Sequence, residues 1–149
     1  MKERGLSSGR RIFLKRDFER GFIKFCGFKA HKVGKGFFIS KLEIGPAHRQ
    51  QDGFVHAGVM ATMADHTAGY AAFTLVSEKY RVLTIEFKIN FLKPASGEML
   101  VCKARILKEG KLVMVAESEV FDSRQRQKRL VAKAVATLMA VPAEKIEGS

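Results

Sequence analysis

Proline, cysteine and long apolar runs are all scarce in this chain, and each shortage narrows what it can be. No apolar run reaches the ~18 residues that a membrane-spanning helix needs. The basic N-terminus, Met1 to Arg20, has no apolar core of the kind a secretory signal carries. Its acids, Glu3, Asp17 and Glu19, also argue against a transit peptide. The 2 cysteines, Cys26 and Cys102, sit among apolar residues without a CxxC partner. They read as buried thiols of a reducing compartment, and a cytoplasmic protein is expected. Neither the 4 histidines nor the acids fall at metal-ligand spacing. No GxSxG elbow, P-loop, internal repeat or low-complexity segment is present.

What is present is an ordinary globular composition with 46% hydrophobic residues in 149, enough for one domain with a real core. Acids are few against bases, 15 to 27, and the formal charge is +12. Such a surface suits polyanionic partners, including phosphorylated small molecules. The densest basic run, Arg124 to Arg129, reads as a hairpin tip without interleaved aromatics. A base-stacking surface is therefore not indicated.

Hydrophobic periodicity divides the chain. Residues 1–14 read as a loose basic arm, 15–142 as a single domain and 143–149 as a tail. Phe18, Phe22 and Phe25 predict an amphipathic helix over Lys15–Phe25. A turn at Gly34-Lys35-Gly36 leads to a strand over Phe37–Ile44. Val55–Val76, rich in alanine and free of proline, predicts one long helix. From Val82 the period changes to two, with Ile85, Phe87, Ile89 and Phe91 opposite Thr84, Glu86, Lys88 and Asn90. Further strands follow at Leu100–Ile106, Leu112–Phe121 and Leu130–Leu138, the last with Leu130 to Leu138 in alternation on one face. The expected architecture is α+β: a strand, a long helix, then four strands in meander, with the helix covering a mostly antiparallel sheet.

Asp65 stands out against this pattern. The segment Gly53–Ala72 is small and apolar around it and holds no lysine, arginine or second carboxylate. An isolated carboxylate is costly to bury unless something uses it.

The run His48-Arg49-Gln50-Gln51-Asp52-Gly53-Phe54-Val55-His56-Ala57-Gly58, followed by Ala64-Asp65, resembles the hotdog-fold acyl-CoA thioesterases of the PaaI-like branch. Thr84 to Ala95, a strand ending in a proline turn, is similar to that family as well. The family's His-Gly-Gly reads His56-Ala57-Gly58 here. Gln50 stands where many PaaI-like members carry Asn and a related hotdog branch carries Gln. The resemblance implies a mostly antiparallel sheet wrapped around one central helix, and hydrolysis of an acyl-coenzyme A with no separate cofactor. It implies catalytic roles for Asp65, Gln50, Ala57 and Thr84. Asp65 is the base or nucleophile, Gln50 and the Ala57 N–H polarise the carbonyl, and Thr84 orients water. His56, Gly58 and Met60 are expected to bind substrate, as are Lys93, Lys111 and Arg124 through the nucleotide. Met63 and Phe73 are further candidates for an acyl pocket. His48 and His56 read as hydrogen-bonders around the loop, and His66 points about 100° from Asp65 on the helix.

Ala57 and Asp65 are eight residues apart, about 12 Å along a helix axis. One thioester meets both only if they come from different subunits, so a homodimer or dimer of dimers with shared sites is expected. Two other classes compete: a hotdog hydratase or dehydratase of enoyl thioesters, and a non-enzymatic module binding acyl-CoA or nucleic acid. Hydratases generally pair a catalytic His with an acid, and Asp65 has no suitably placed His. The charge is the main support for a binding module, and nucleic acid is the less favoured partner.

Overall fold

A computed structural model describes Met1 and residues 5–148 of the chain. Two short helices, α1 (Ser8–Phe18) and α2 (Gly21–Cys26), precede the strands β1 (Lys29–Gly34) and β2 (Phe37–Glu43). The long helix α3 (Ala57–Phe73) follows, then β3 (Tyr80–Phe91), β4 (Met99–Glu109), β5 (Val113–Arg124) and β6 (Gln127–Pro142). The six strands form one antiparallel sheet in the order β1-β2-β4-β5-β6-β3. The α+β architecture is as expected, but the four strands after α3 are not a simple meander. Only β4, β5 and β6 pair in succession, while β3 lies on the far edge beside β6. Periodicity identifies a strand but carries no information about its neighbours.

Small residues set how closely α3 lies on the sheet. Ala64, Ala68, Ala71 and Ala72 on the helix are buried with Cys102, Ala104, Ala116, Ala134 and Ala136 of the strands. Hydroxyls between the layers are paired. Ser40 and Thr67 share a hydrogen bond of 2.7 Å, and Thr67 Oγ1 donates to Met63 O at 2.6 Å. Ser118 Oγ donates to Ala64 O at 2.8 Å. The last bond ties the backbone just before Asp65 to the middle of β5.

The N-terminal region departs most from expectation. Residues 2–4 of the expected arm, Glu3 among them, lie outside the described residues, as does Ser149 of the tail. From Ser8 onward the arm is not loose: it is α1, capped by Ser7 and seated through fully buried Leu14 and Phe18. The expected helix over Lys15–Phe25 is broken at Glu19 and Arg20. Gly21 turns there with φ +52°. The Glu19 carboxylate accepts from the Ala30 N–H at 3.0 Å and meets Lys29 Nζ at 3.1 Å, which fixes the break against β1. The three phenylalanines therefore do not share a buried face. Phe18 is enclosed, but Phe22 is 63% and Phe25 89% exposed. Strand β1 was not anticipated, because a register shift between Ala30 and Lys32 disrupts its alternation.

Of three further register shifts, two bear on the expected faces. One between Val120 and Phe121 makes Val131 the extra residue of β6, so Val131 and Ala132 are both buried and Leu130 leaves the expected face. The other makes Ile85 the extra residue of β3. Thr84 then pairs with inward-facing Leu138 and Phe87 with inward-facing Ala136. Contrary to strict alternation, Thr84 and Phe87 share the helix-facing side.

Arg10 locks α1 to the end of α3. Its guanidinium donates to Phe73 O at 2.9 Å and Val76 O at 3.1 Å, and it lies 4.7 Å from the Phe73 ring centroid. Carbonyls at a helix C-terminus have no acceptor role inside the helix, and this cation answers them. Arg10→Met should lower unfolding free energy by about 1–3 kcal/mol, since it strips charged hydrogen bonds from part-buried carbonyls. Urea titration followed by circular dichroism measures this directly.

Candidate active site

The loop entering α3 is held by its own polar groups. The His48 ring spans two segments: Nδ1 accepts from the Gly45 N–H at 2.9 Å, and Nε2, which then carries the proton, donates to Cys26 O at 2.6 Å. The His56 N–H donates to His48 O at 2.9 Å and the Val55 N–H to Ala95 O at 2.8 Å. Arg49 donates to Gly53 O at 2.8 Å and Gly97 O at 3.2 Å. Gly53 closes the turn with φ +88° and gives its N–H to Gln50 O. The Gln50 side-chain carbonyl accepts from the Asp52 N–H, so its NH2 group is left free to donate elsewhere.

At the start of α3, His56 is the N-cap, with Nδ1 accepting from the Gly58 N–H at 2.8 Å. That bond consumes the Gly58 donor. The neighbouring Ala57 N–H is the first of the helix and has no acceptor among the described residues. An open N–H at the positive end of a helix is a site for developing negative charge. Gln50, Phe54, His56, Ala57, Met60 and Lys93 all border one cleft of about 540 Å³. Five expected site residues, from the entry loop, the start of α3 and the proline turn, are thus brought together, with Phe54 beside them.

Asp65 lies two turns further along α3 and borders different clefts. Thr84 Oγ1 donates to Asp65 Oδ1 at 2.7 Å. This contact exists because of the β3 bulge. Asp65 makes no ion pair among the described residues, and its Oδ2 has no protein partner there. The carboxylate is therefore oriented on one oxygen and open on the other.

His66 turns away from Asp65, as its helical position requires. Its ring packs on Phe18 at 4.5 Å and Tyr70 at 4.8 Å, with Nε2 3.1 Å from Phe18 O. Burial lowers its pKa, against smaller raising effects of the Phe18 carbonyl, Asp65 and Asp17. The Tyr70 hydroxyl donates to Asp17 Oδ2 at 2.8 Å, and burial together with that carboxylate raises its pKa. Asp17, Tyr70 and Arg81 border a cleft of about 500 Å³ beside Asp65 and Thr84. None of the three was marked as a site residue, because α1, α3 and β3 meet only in three dimensions.

Other expected residues fall elsewhere. Arg124 borders a small cleft at the β5–β6 hairpin with Arg129 and buried Asp122. Lys111 is exposed in the β4–β5 loop and borders neither the Ala57 cleft nor the Asp65 clefts. Met63 is plain core, whereas Phe73 borders the Tyr70 cleft under Arg10. Cys102 is buried and its thiol is pushed up to about 12, but Cys26 is only half-buried, short of the buried thiol expected. No group of three metal-ligating side chains occurs among the described residues. No described helix is long and apolar enough to cross a membrane.

A family model for the thioesterase superfamily matches residues 52–128, a range that holds Ala57, Asp65 and Thr84 but not Gln50. The chain belongs to the thioesterase superfamily. Its fold is the hotdog fold, with α3 as the central helix, and its class is thioester hydrolase. A solved thioesterase family protein from Silicibacter pomeroyi superposes with a TM-score of 0.84 at 35% identity, covering 89% of this chain and 98% of that one. A protein of Saccharolobus solfataricus named as an esterase is 33% identical over 77% of this chain and 74% of its own length. The 1,4-dihydroxy-2-naphthoyl-CoA hydrolase of Listeria monocytogenes is 24% identical over 71% of this chain and 86% of its own length.

The partly buried imidazole of this thioesterase has a stability consequence. In the unfolded chain His66 protonates near its ordinary 6.5, and in the fold only at lower pH. The unfolded state then binds more protons, so the contribution of neutral His66 is complete above about pH 6.5 and falls as pH drops below it. Replacing it, as in His66→Gln, should flatten the acid limb of stability against pH by up to about 1.4 kcal/mol per pH unit. Denaturant midpoints collected between pH 4 and 8 test the slope.

Proposed function

We propose that the protein is an acyl-CoA thioesterase of the PaaI-like kind, working as a homodimer or dimer of dimers in the cytoplasm. The observation that carries this reading is the division of labour along α3. A free N–H with an amide side chain beside it stands at one end, and a half-tethered carboxylate stands eight residues on. In each site Ala57 and Gln50 of one protomer face Asp65 of the other across the thioester. The carbonyl oxygen accepts from the Ala57 N–H and the Gln50 NH2 group, which meet its charge as it develops. Thr84 holds Asp65 Oδ1, and Oδ2 takes a proton from water as the water oxygen bonds to the carbonyl carbon. The tetrahedral intermediate collapses, the carbon–sulfur bond breaks, and the thiolate of coenzyme A takes up the proton. Coenzyme A is part of the substrate, and the groups named suffice without a further cofactor. Lys93, on the cleft that holds Gln50 and Ala57, and the surrounding positive charge suit its phosphates. The open β3 edge, with Leu83, Ile85 and Phe91 exposed, supports pairing of two chains along it.

A hydratase reading has less support, because His66 is engaged with Phe18 and Tyr70 rather than with Asp65. Thiol release measured over an acyl-CoA panel should show turnover by the wild type. Asp65→Asn should lower kcat by roughly 10²–10⁴-fold and Gln50→Ala by roughly 10²-fold, with folding retained. Thr84→Val should cost less than Asp65→Asn. Absence of thiol release by the wild type, or a sedimenting monomer that is fully active, overturns the proposal.

A further inference from the structure

The first two helices display large apolar side chains that the core does not use. Ile12, Phe22 and Phe25 are all exposed, Phe25 almost fully. Arg20 borders both the cleft that holds Ile12 and the cleft that holds Phe22, so these side chains belong to one surface. This is not the exposure of a frayed end. Gly21 turns the chain, Gly27 ends α2 with φ +85°, and His48 Nε2 holds the Cys26 carbonyl at 2.6 Å. Ile23 is thereby buried, and Phe22 and Phe25 are left on the outer side of α2. Large apolar residues displayed together mark an interaction surface. The same stretch concentrates charge. From Ser8 to Gly36 the chain carries nine Lys and Arg against two acids, so seven of its twelve net positive charges lie there. Both acids are answered within the fold: Asp17 by Arg20 and the Tyr70 hydroxyl, Glu19 by Lys29 and the Ala30 N–H. Arg16 and Lys24 are exposed and make no ion pair among the described residues.

We propose that α1 and α2 seat the protein on an anionic lipid surface, with Ile12, Phe22 and Phe25 entering the headgroup layer and Arg16, Arg20 and Lys24 meeting lipid phosphates. The contact is peripheral, since no described helix is long and apolar enough to cross a bilayer. Apolar insertion and cationic attraction act together at such a surface, and the cytoplasmic leaflet supplies the negative charge. A bilayer accepts projecting side chains without a matching pocket, which a folded partner has to supply. A second copy of the chain is a poor occupant. A two-fold contact through this face sets Arg16, Arg20 and Lys24 against their own duplicates, with both local acids already engaged. Single-stranded nucleic acid would meet the charge, but its bases stack on π faces and Ile12 has none. The inference is independent of the hydrolase reading.

The test is co-sedimentation with vesicles of phosphatidylcholine alone and of phosphatidylcholine mixed with phosphatidylglycerol. Phe22 also borders an Asp65 cleft, so the variants are Ile12→Ser, Phe25→Ser and Lys24→Glu, all at exposed positions. Thermal melts confirm that they fold, and sedimentation velocity reports their assembly. Wild type should bind the mixed vesicles at least about tenfold more tightly than the neutral ones, and less tightly as salt rises. Phe25→Ser should weaken that binding by about tenfold, and Ile12→Ser by less. Lys24→Glu should weaken it by roughly tenfold through charge. Equal binding to both kinds of vesicle, no binding to either, or binding that all three variants retain overturns the inference. So does a smaller assembly in folded Phe25→Ser, which gives the face to a second copy. Single-stranded DNA bound more tightly than the mixed vesicles, with the same loss in Phe25→Ser, overturns it in favour of nucleic acid.

Discussion

The contact between α3 and the sheet carries the rest of the molecule. Alanine faces alanine across it, so the helix backbone lies close to the strands and has little freedom to slide or roll. Ser118 bonds to Ala64 O and Ser40 to Thr67, which pins the register with directional contacts where apolar packing alone is tolerant of small shifts. Everything of chemical interest hangs from that helix. Its first N–H, its carboxylate at Asp65 and its histidine are placed relative to β3 and the entry loop by this one interface. A bulky side chain on either surface would lift the helix and separate Asp65 from Thr84.

Legibility in the sequence followed the range of the interaction. The helix, the strands after it and the isolation of Asp65 rest on spacing within a segment, and all were readable. So was the separation of Ala57 from Asp65, which is a matter of rise per residue. The order of strands was not readable, because β3 and β4 are neighbours in the chain but not in the sheet. Nor was the Asp65–Thr84 bond. Strict alternation set Thr84 against Phe87, and only the extra residue Ile85 reverses this. The pattern of Phe18, Phe22 and Phe25 misled for a related reason. Helical spacing says that residues share a side, and Glu19 with Gly21 ends the helix before the side is complete.

The histidines show how polar groups around the cleft are occupied. His48 joins two loops and His56 caps α3. His66 fills a gap among Phe18 and Tyr70. Both ring nitrogens of His48, and one each of His56 and His66, are engaged within the chain, so these imidazoles serve as struts. Among the described residues at the Ala57 and Asp65 clefts, the Ala57 N–H, the Gln50 amide nitrogen and one oxygen of Asp65 stay open. Open groups of this kind, exposed or partly exposed on a cleft, can meet a ligand without first breaking a bond within the chain.

The outer margin of β3 has a bearing on how the chain survives its own synthesis. A row of peptide groups without partners runs there beside greasy side chains, and any extended segment that drifts past can zip onto it. A newly made copy is therefore adhesive until that margin is covered.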